Sequence, residues 1–481
     1  MLPDVALLEI FDLYLVHPDP MNNLYWKDRL TTWHSLVHVC RKWRNIVFGS
    51  PLRLNLRLYC EPRLTPVRER MAVWPSLPIA VSDDCDQIRD NEKWVDNIVA
   101  VFEHSDRICR LNLAQIRSWQ LEKVLAGMQQ PFPALTRLSL SSKLEGGETA
   151  PVDPDSFLGG SAPQLQTLVL VGILFPGLPK LLLSATQLVR LILGSIPHSG
   201  YISPEKMVAC LSLLTKLEDL SIGFESPQSR PDRRSRHPLP LTRTVLPVLT
   251  WLSFHGVSEY LEDLVARIDA PLLHDLCITF FHQLIFDTPQ LTQLIGRCAP
   301  KFKTLNIANL DFLDYIGTPN ITLLSHEPHF DRLYLGVSCN KSDWCLSFMT
   351  QICSSSFTQD LLSMVETLCI EESGGRWNPP WHDDIDGGQW LEVLRPFTAV
   401  KVLYVFEEFA QGIAQALQEL VGDRAMEVLP ALQTLDLRNP MYPLPPSRPD
   451  QDAVDQFVAA RKLAGHPIVV HRFEGEDVSG S

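Results

Sequence analysis

Apolar residues recur along the chain in a three-position pattern: an anchor, a leucine three residues later, and a further apolar residue two positions beyond. The first six units are Ile108-Leu111-Leu113, Leu135-Leu138-Leu140, Leu165-Leu168-Leu170, Leu188-Leu191-Leu193, Leu217-Leu220-Ile222 and Leu249-Leu252-Phe254. Six more follow: Leu273-Leu276-Ile278, Phe302-Leu305-Ile307, Phe330-Leu333-Leu335, Val365-Leu368-Ile370, Val400-Leu403-Val405 and Leu432-Leu435-Leu437. The middle leucines run from residue 111 to residue 435 in eleven intervals with a mean near 29. Apolar residues at every second position mark a strand with one buried face, so each unit predicts a short strand, and the recurrence predicts twelve units built alike.

Between these strands the apolar spacing becomes helical. Ser118 precedes Leu121, Val124, Leu125 and Met128, Ser203-Pro204 precede Met207, Val208, Leu211 and Leu214, and Ser258 precedes Leu261, Leu264, Val265 and Ile268. Thr288-Pro289 precede Leu291, Leu294, Ile295 and Cys298 in the same way. A cap residue, in two cases with a first-turn proline, starts a helix. In seven units a proline stands two residues before the first anchor (Pro133, Pro163, Pro247, Pro271, Pro300, Pro328, Pro430), where it ends the preceding helix and presets an extended run. One strand and one helix cannot hide their own apolar faces, so neighbouring units must stack into a continuous core.

The pattern resembles the leucine-rich repeats of the longer, helix-containing kind. The Asn or Cys that such repeats carry after the strand is mostly missing, with Asn309 and Asn439 as possible remnants. A doubly wound α/β domain is the alternative, and twelve successive units without a Gly-rich phosphate loop argue against it.

Residues 1 to 51 do not share the repeat. Leu2-Pro3-Asp4 opens a helical stripe of Leu7, Leu8, Ile10, Phe11 and Tyr14, and a second pattern uses Leu30, Trp33, Leu36, Val37 and Cys40. Val39-Cys40-Arg41-Lys42-Trp43-Arg44 follows, closed by Ser50-Pro51. The opening Leu-Pro, the Ile-Phe pair, the Val-Cys-x-x-Trp-Arg element and the closing Ser-Pro resemble the F-box, particularly that of fungal F-box proteins, with a longer link between the first two helices. The resemblance implies a Skp-type adaptor as partner, bridging to a cullin-RING ligase, and places Leu2, Pro3, Leu7, Ile10, Leu36, Val39 and Cys40 against it with Trp43 packing nearby. Three short helices this apolar have more hydrophobic surface than they can hide among themselves, which suits a partner interface. The other reading is a helical cap on the repeat stack.

The expected fold is therefore α/β. A three-helix F-box domain (1–51) leads through irregular first repeats (52–107) into a leucine-rich-repeat solenoid (108–470) and a disordered tail (471–481). The solenoid is a curved horseshoe, with parallel strands on its concave face and helices on its convex face. In the irregular stretch, Leu52, Leu54, Leu56 and Leu58 alternate as a strand, Leu77, Ile79 and Val81 as another, and Trp94, Ile98, Val101 and Phe102 lie on a helix. At the far end a helix over 454–463 and the run Ile468-Val469-Val470 cap the final repeat.

Composition narrows the function. Over 481 residues, 56 acidic against 42 basic side chains give a formal charge of −14, which disfavours general binding to nucleic acid or anionic lipid. Eleven scattered cysteines, without a C-x-x-C pair, suit reduced thiols of a cytoplasmic or nuclear protein. Neither a secretory signal nor a membrane span is visible, because Asp4, Glu9 and Asp12 interrupt the first apolar segment, and the most apolar stretch contains Pro176, Pro179 and Lys180. The motifs G-x-S-x-G, G-x-x-x-x-G-K-[ST] and H-E-x-x-H are absent, and His382, Asp383, Asp384 and Asp386 lack the spacing of a calcium loop. No catalytic residue, metal or cofactor is expected.

What the repeat offers is a surface. Side chains between the core anchors face outward, so Arg137, Ser139, Trp251, Ser253, Asp275, Arg332, Tyr334, Val402 and Tyr404 are expected there. Arg137, Trp251, Asp275, Arg332, Tyr334 and Tyr404 are the candidates for binding an unknown protein substrate, with the aromatics as anchors, although packing against loops is an equal alternative for them. Two insertions interrupt the repeat. Residues 225–240, with Arg230, Arg233, Arg234, Arg236 and His237, read as a solvated loop or as a nuclear-import or phosphate-binding segment; residues 374–388, with Trp377 and Trp381 among prolines and acids, read as a peptide grip or an ordered lid. The expected role is the substrate-recognition subunit of an SCF-type (Skp-cullin-F-box) E3 ubiquitin ligase. A repeat scaffold with no ligase role is the second reading, and a hydrolase or transferase the third.

Overall fold

The computed structural model describes residues 2–15, 33–50, 53–54, 56–60, 67–73, 76–83, 92–143, 156–175, 177–231, 242–281, 288–298, 302, 304–312, 318–325, 331–338, 345–354, 360–371, 373, 387–418, 420, 424, 426–438 and 451–472. They form two units, residues 1–202 with 209–217, and residues 203–208 with 218–481.

Among the described residues, unit 1 opens with the helices α1 (Asp4–Tyr14), α2 (Trp33–Val39) and α3 (Arg41–Gly49). Leu7, Phe11, Trp33, Leu36, Val37, Ile46 and Val47 form their core, and Trp43 meets Phe11 edge to face at 4.8 Å. There follow β1 (Leu58–Cys60), α4 (Val67–Val73), β2 (Ile79–Asp83), α5 (Glu92–Phe102), β3 (Ile108–Arg117), α6 (Ser118–Gly127), β4 (Arg137–Lys143), a 3-10 turn (Phe157–Gly160), β5 (Thr167–Val171), α7 (Leu178–Ser184) and β6 (Arg190–Ile196). The strands pair in parallel and in sequence order from β1 to β6. That order has no switch point, which excludes a doubly wound arrangement for this unit.

The leucine pattern explains the pairing. Leu111, Leu138, Leu168 and Leu191 are successive register partners, as are Leu113, Leu140, Leu170 and Leu193, and all eight are buried. Each such leucine contributes about 2 kcal/mol of burial as an upper estimate. Consecutive helices pack on one another, α4 on α5 and α5 on α6.

Helix α8 (Pro204–Leu211) contains the division between the units. Unit 2 continues with β7 (Asp219–Phe224), β8 (Thr244–Val245), β9 (Trp251–Gly256), α9 (Ser258–Val265), β10 (Ile268–Asp269), β11 (Asp275–Phe281), α10 (Pro289–Arg297), β12 (Leu305–Asp311), β13 (Asn320–Ser325) and β14 (Arg332–Ser338). It closes with α11 (Cys345–Ser354), β15 (Thr367–Glu371), α12 (Gly387–Leu394), β16 (Val402–Phe406), α13 (Glu407–Gln418), β17 (Thr434–Arg438), α14 (Gln451–Leu463) and β18 (Val469–Arg472). The same ladder recurs as Leu220, Leu252, Leu276 and Leu333, and as Leu368, Leu403 and Leu435.

Unit 2 corrects the expectation of an all-parallel stack in sequence order. Its strands run β7-β9-β11-β14-β13-β12-β15-β16-β17-β18, and β13 is antiparallel to both neighbours. The unit around Leu333 therefore pairs with that around Leu276, and the unit around Leu305 pairs across to Leu368's strand. The cause is the short link after β12: residues 312–319 are too few for a crossover helix, so the chain returns antiparallel, with Ile321 and Leu323 buried. At the start of the sheet, strand pairing among the described residues begins at Leu58; Leu54 and Leu56 are buried as their alternation requires, and Leu52 lies outside the described residues.

The recurrent prolines also act differently from expectation. The N–H of the first anchor donates to the carbonyl three residues back in Leu135→Phe132, Leu165→Ala162, Leu249→Leu246, Leu273→Ala270 and Leu432→Leu429, at 3.1–3.3 Å. Pro133, Pro163, Pro247, Pro271 and Pro430 thus hold the second position of a hydrogen-bonded β-turn, where their fixed φ fits. Pro300 and Pro328 lie outside the described residues. So do the expected Leu30, the Trp377 and Trp381 segment, most of the arginine-rich loop and the carboxyl-terminal tail.

Candidate functional site on the open face of the strands

Strand alternation buries the leucines and leaves the intervening side chains on the other face, half-buried. Arg137, Ser139, Trp251, Ser253, Asp275, Arg332, Tyr334, Val402 and Tyr404 all occupy that face. Within each unit, residues immediately before middle leucines line up across directly paired strands.

In unit 1 this row reads Arg110, Arg137, Thr167 and Arg190, in direct register from β3 to β6. Burial first, then the charges of Arg57 and Arg137, push the Arg110 guanidinium down to about 10. Burial, Arg190 and Arg57 lower Arg137 as well. Among the described residues, the Nε of Arg110 is buried without a hydrogen-bond partner.

In unit 2 the row reads Asp219, Trp251, Asp275 and Arg332. Arg332 donates to both oxygens of Asp275, so these two candidates satisfy one another. Tyr334 pairs in register with Cys277 one step along. Further on, the Arg438 guanidinium lies over the Tyr404 ring, 4.1 Å from its centroid, a cation–π contact that leaves the tyrosine partly covered. Asp311 and Glu371 are register partners at the ends of β12 and β15, and burial followed by Asp311's charge raises the Glu371 carboxyl.

Sequence reasoning missed Arg110, Arg190, Arg438, Asp311 and Glu371. The first two carried a legible signal, since Arg110, Arg137, Arg190 and Arg332 each stand just before a middle leucine. The signal for Asp311 and Glu371 was absent, because their pairing depends on the inserted β13.

Among the eight residues expected at the adaptor, Leu2, Pro3, Ile10, Val39 and Cys40 are exposed. Leu7 and Leu36 are instead buried in the three-helix core, and Trp43 is half-buried against Phe11. The reason is tertiary: Leu7 lies with Phe11, four residues on, on the side of α1 that packs against α3, whereas Ile10 is exposed. The Cys40 thiol accepts from the Trp43 N–H at 3.5 Å and so caps α3.

No family model matches the sequence. Nor does any curated protein. Among solved structures the chain is similar to the leucine-rich repeat-containing protein LegL7 from Legionella pneumophila, with 10% sequence identity, coverage of 83% of this chain and 97% of that one, and a TM-score of 0.27. So loose a likeness carries no argument, and the repeat rests on this chain's own strand registers.

Among the described residues, no group of three or more His, Cys, Asp or Glu side chains is placed to hold a metal ion. Burial raises the Cys353 and Cys369 thiols to about 12, which makes them structural rather than reactive. None of the described helices is long and apolar enough to cross a membrane.

Proposed function

We propose that the chain is a leucine-rich-repeat solenoid that binds proteins on its open strand face, headed by an F-box that docks on a Skp-type adaptor. On this reading it is the substrate-recognition subunit of an SCF-type E3 ubiquitin ligase, coupled through the adaptor to a cullin-RING ligase in the cytoplasm or nucleus. It catalyses nothing itself and needs no cofactor. The observation that carries the reading is the surplus apolar surface of the head. With its core already filled, α1 still exposes Val5, Leu13 (72%), Tyr14 and Ile10 (43%), preceded by Leu2, while Val39 and Phe48 are exposed on or beside the next two helices. Helices that leave this much apolar surface in water suit a permanent partner.

The test is capture of the full-length protein by a purified Skp-type adaptor. Ile10→Asp and Val39→Asp sit on exposed positions, so they are expected to abolish capture without lowering the melting temperature. Leu7→Asp is unsuitable because it charges the core. Failure of the wild-type protein to bind any Skp-type adaptor overturns the ligase reading.

A repeat scaffold whose head is only a cap is the second reading. It is favoured by one contact: the Trp33 indole N–H donates to the Arg57 carbonyl at 2.9 Å, tying the head to the chain just before β1. A capping role predicts that Trp33→Phe lowers the stability of the whole unit.

A further inference from the structure

The arginine row of unit 1 is chemically unlike the rest of the open face. Arg110 and Arg137 are direct register partners on adjacent strands, about 4.8 Å apart along the row. Arg190 stands two strands further, about 10 Å from Arg137. Arg57, just ahead of β1, acts on both Arg110 and Arg137 through its charge. Among the described residues, no carboxylate acts on either guanidinium, and in unit 2 the equivalent Arg332 is neutralised by Asp275. Like charges drawn together on a half-buried surface, with the Arg110 Nε lacking a partner, are held at a cost that an incoming anion offsets.

We propose that the open face of unit 1 binds an acidic segment of a partner protein, whose carboxylate or phosphoryl oxygens seat on Arg110 and Arg137. Guanidinium groups accept both kinds of oxyanion in two-pronged fashion. The geometry selects an extended segment. Alternate side chains of a strand repeat every ~6.8 Å, so acids at positions i and i+2 come within guanidinium reach of Arg110 and Arg137, whose strands lie about 4.8 Å apart. Nucleic acid is disfavoured because its phosphates continue past the arginine row into the field of a chain of net charge −14, whereas a short acidic segment ends within the row. The inference rests on the open face being a protein-binding surface and is independent of whether the head docks on a ligase.

Fluorescence anisotropy of the full chain tests it, using a fluorescein-labelled peptide of alternating Ser and Glu with three glutamates. Three comparison probes are the same peptide with Gln for Glu, one with phosphoserine for Glu, and a short single-stranded oligonucleotide of equal charge. The glutamate or phosphoserine peptide is expected to bind, the tighter of the two naming the source of the oxyanion, and the Gln peptide to bind at least about tenfold more weakly. Added salt should weaken the complex. Arg137→Gln is expected to lose about tenfold in affinity while melting at or above the wild-type temperature, because it relieves repulsion; a merely structural arginine would melt lower. Arg137→Lys, which keeps the charge but not the fork, is expected to fold and to lose part of the affinity. Equal binding of the Gln peptide, tighter binding of the oligonucleotide, or unchanged affinity in both variants overturns the proposal. Adaptor capture by Arg137→Gln should match wild type, so this failure is distinguishable from that of the ligase reading.

Discussion

Arg332 donates from Nε and Nη2 to the two carboxylate oxygens of Asp275, at 3.1 and 3.0 Å, across directly paired positions of β11 and β14. The two residues are 57 positions apart, and the pair joins the strands on one side of the inserted β13. Burial works against the guanidinium's charge, yet the bond and charge of Asp275, together with the charges of Cys277 and Tyr334, outweigh it and hold Arg332 above its ordinary pKa. The fork fixes register where the repeat order is broken.

Replacing Asp275 with Asn therefore destabilises unit 2, but modestly. The Arg332 side chain is 41% exposed, and solvent screens the pair, so the loss should be about 1 kcal/mol. Urea denaturation at low and high salt checks this: the deficit should shrink as salt rises. Arg332→Lys should lose nearly as much as Asp275→Asn, because the ammonium cannot form the two parallel bonds.

Glu262 on α9 accepts from the Gln290 and Leu291 N–H groups, both at 2.8 Å, at the start of α10. Thr288, the residue a sequence reading assigns as the cap, makes no capping bond with its side chain. The carboxylate therefore satisfies two orphan donors and faces the positive end of the helix dipole. Glu262→Ala should cost about 1–2 kcal/mol by thermal or chemical denaturation. Thr288→Ala should cost distinctly less, the reverse of the ranking expected from sequence.

His255 lies on the open face of β9 beside the Phe281 ring, 4.7 Å between centroids, and burial lowers its pKa below the ordinary 6.5. The unfolded chain then takes up a proton near pH 6.5 before the folded protein does. Stability is present in full above that pH and falls as the solution is acidified through the folded-state value. Melting temperatures measured from pH 7.5 down to 5 should show this decline, and His255→Gln should flatten it. An unchanged slope in the variant would assign the decline elsewhere, with His34 on α2, lowered by burial and by His38, as the next group to replace.

What the sequence made legible was whatever repeats. Middle leucines such as Leu138 and Leu252 announce strands because burial on one face imposes a period of two. Helices after Ser118, Pro204, Ser258 and Thr288 were legible for the corresponding reason at the helical period. The antiparallel β13 was not, because its run Asn320–Ser325 falls within a repeat interval of ordinary length. Leu7 and Ile10 show a different limit. Both are apolar residues of one helix, and which of them faces the core depends on where α3 packs, a tertiary fact without local signature. Arg110 was legible in principle, since the position before a middle leucine is fixed by the repeat, whereas Glu262's capping of a helix 28 residues away depends on how successive units stack.

Gly256 ends β9 beneath an aromatic cluster in which the Phe224 and Tyr260 ring centroids lie 4.7 Å apart and the Phe254 and Tyr260 rings stack at 5.8 Å. A Cβ at this position would stand 2.8 Å from the Phe254 Cζ and 3.0 Å from the Phe224 Cδ2. Neither ring can retreat freely, because both phenylalanines and Tyr260 are fully buried and close-packed. Gly256→Ala should therefore act as overpacking and destabilise unit 2 by about 1–3 kcal/mol, despite adding one methyl group and despite alanine's smaller entropic cost in the unfolded chain. Denaturant titration of the variant checks this. The double variant with Phe254→Leu should recover part of the loss, since the smaller side chain vacates the space that the methyl group needs. A Gly256→Ala protein as stable as wild type would mean that the glycine is held by something other than the rings above it.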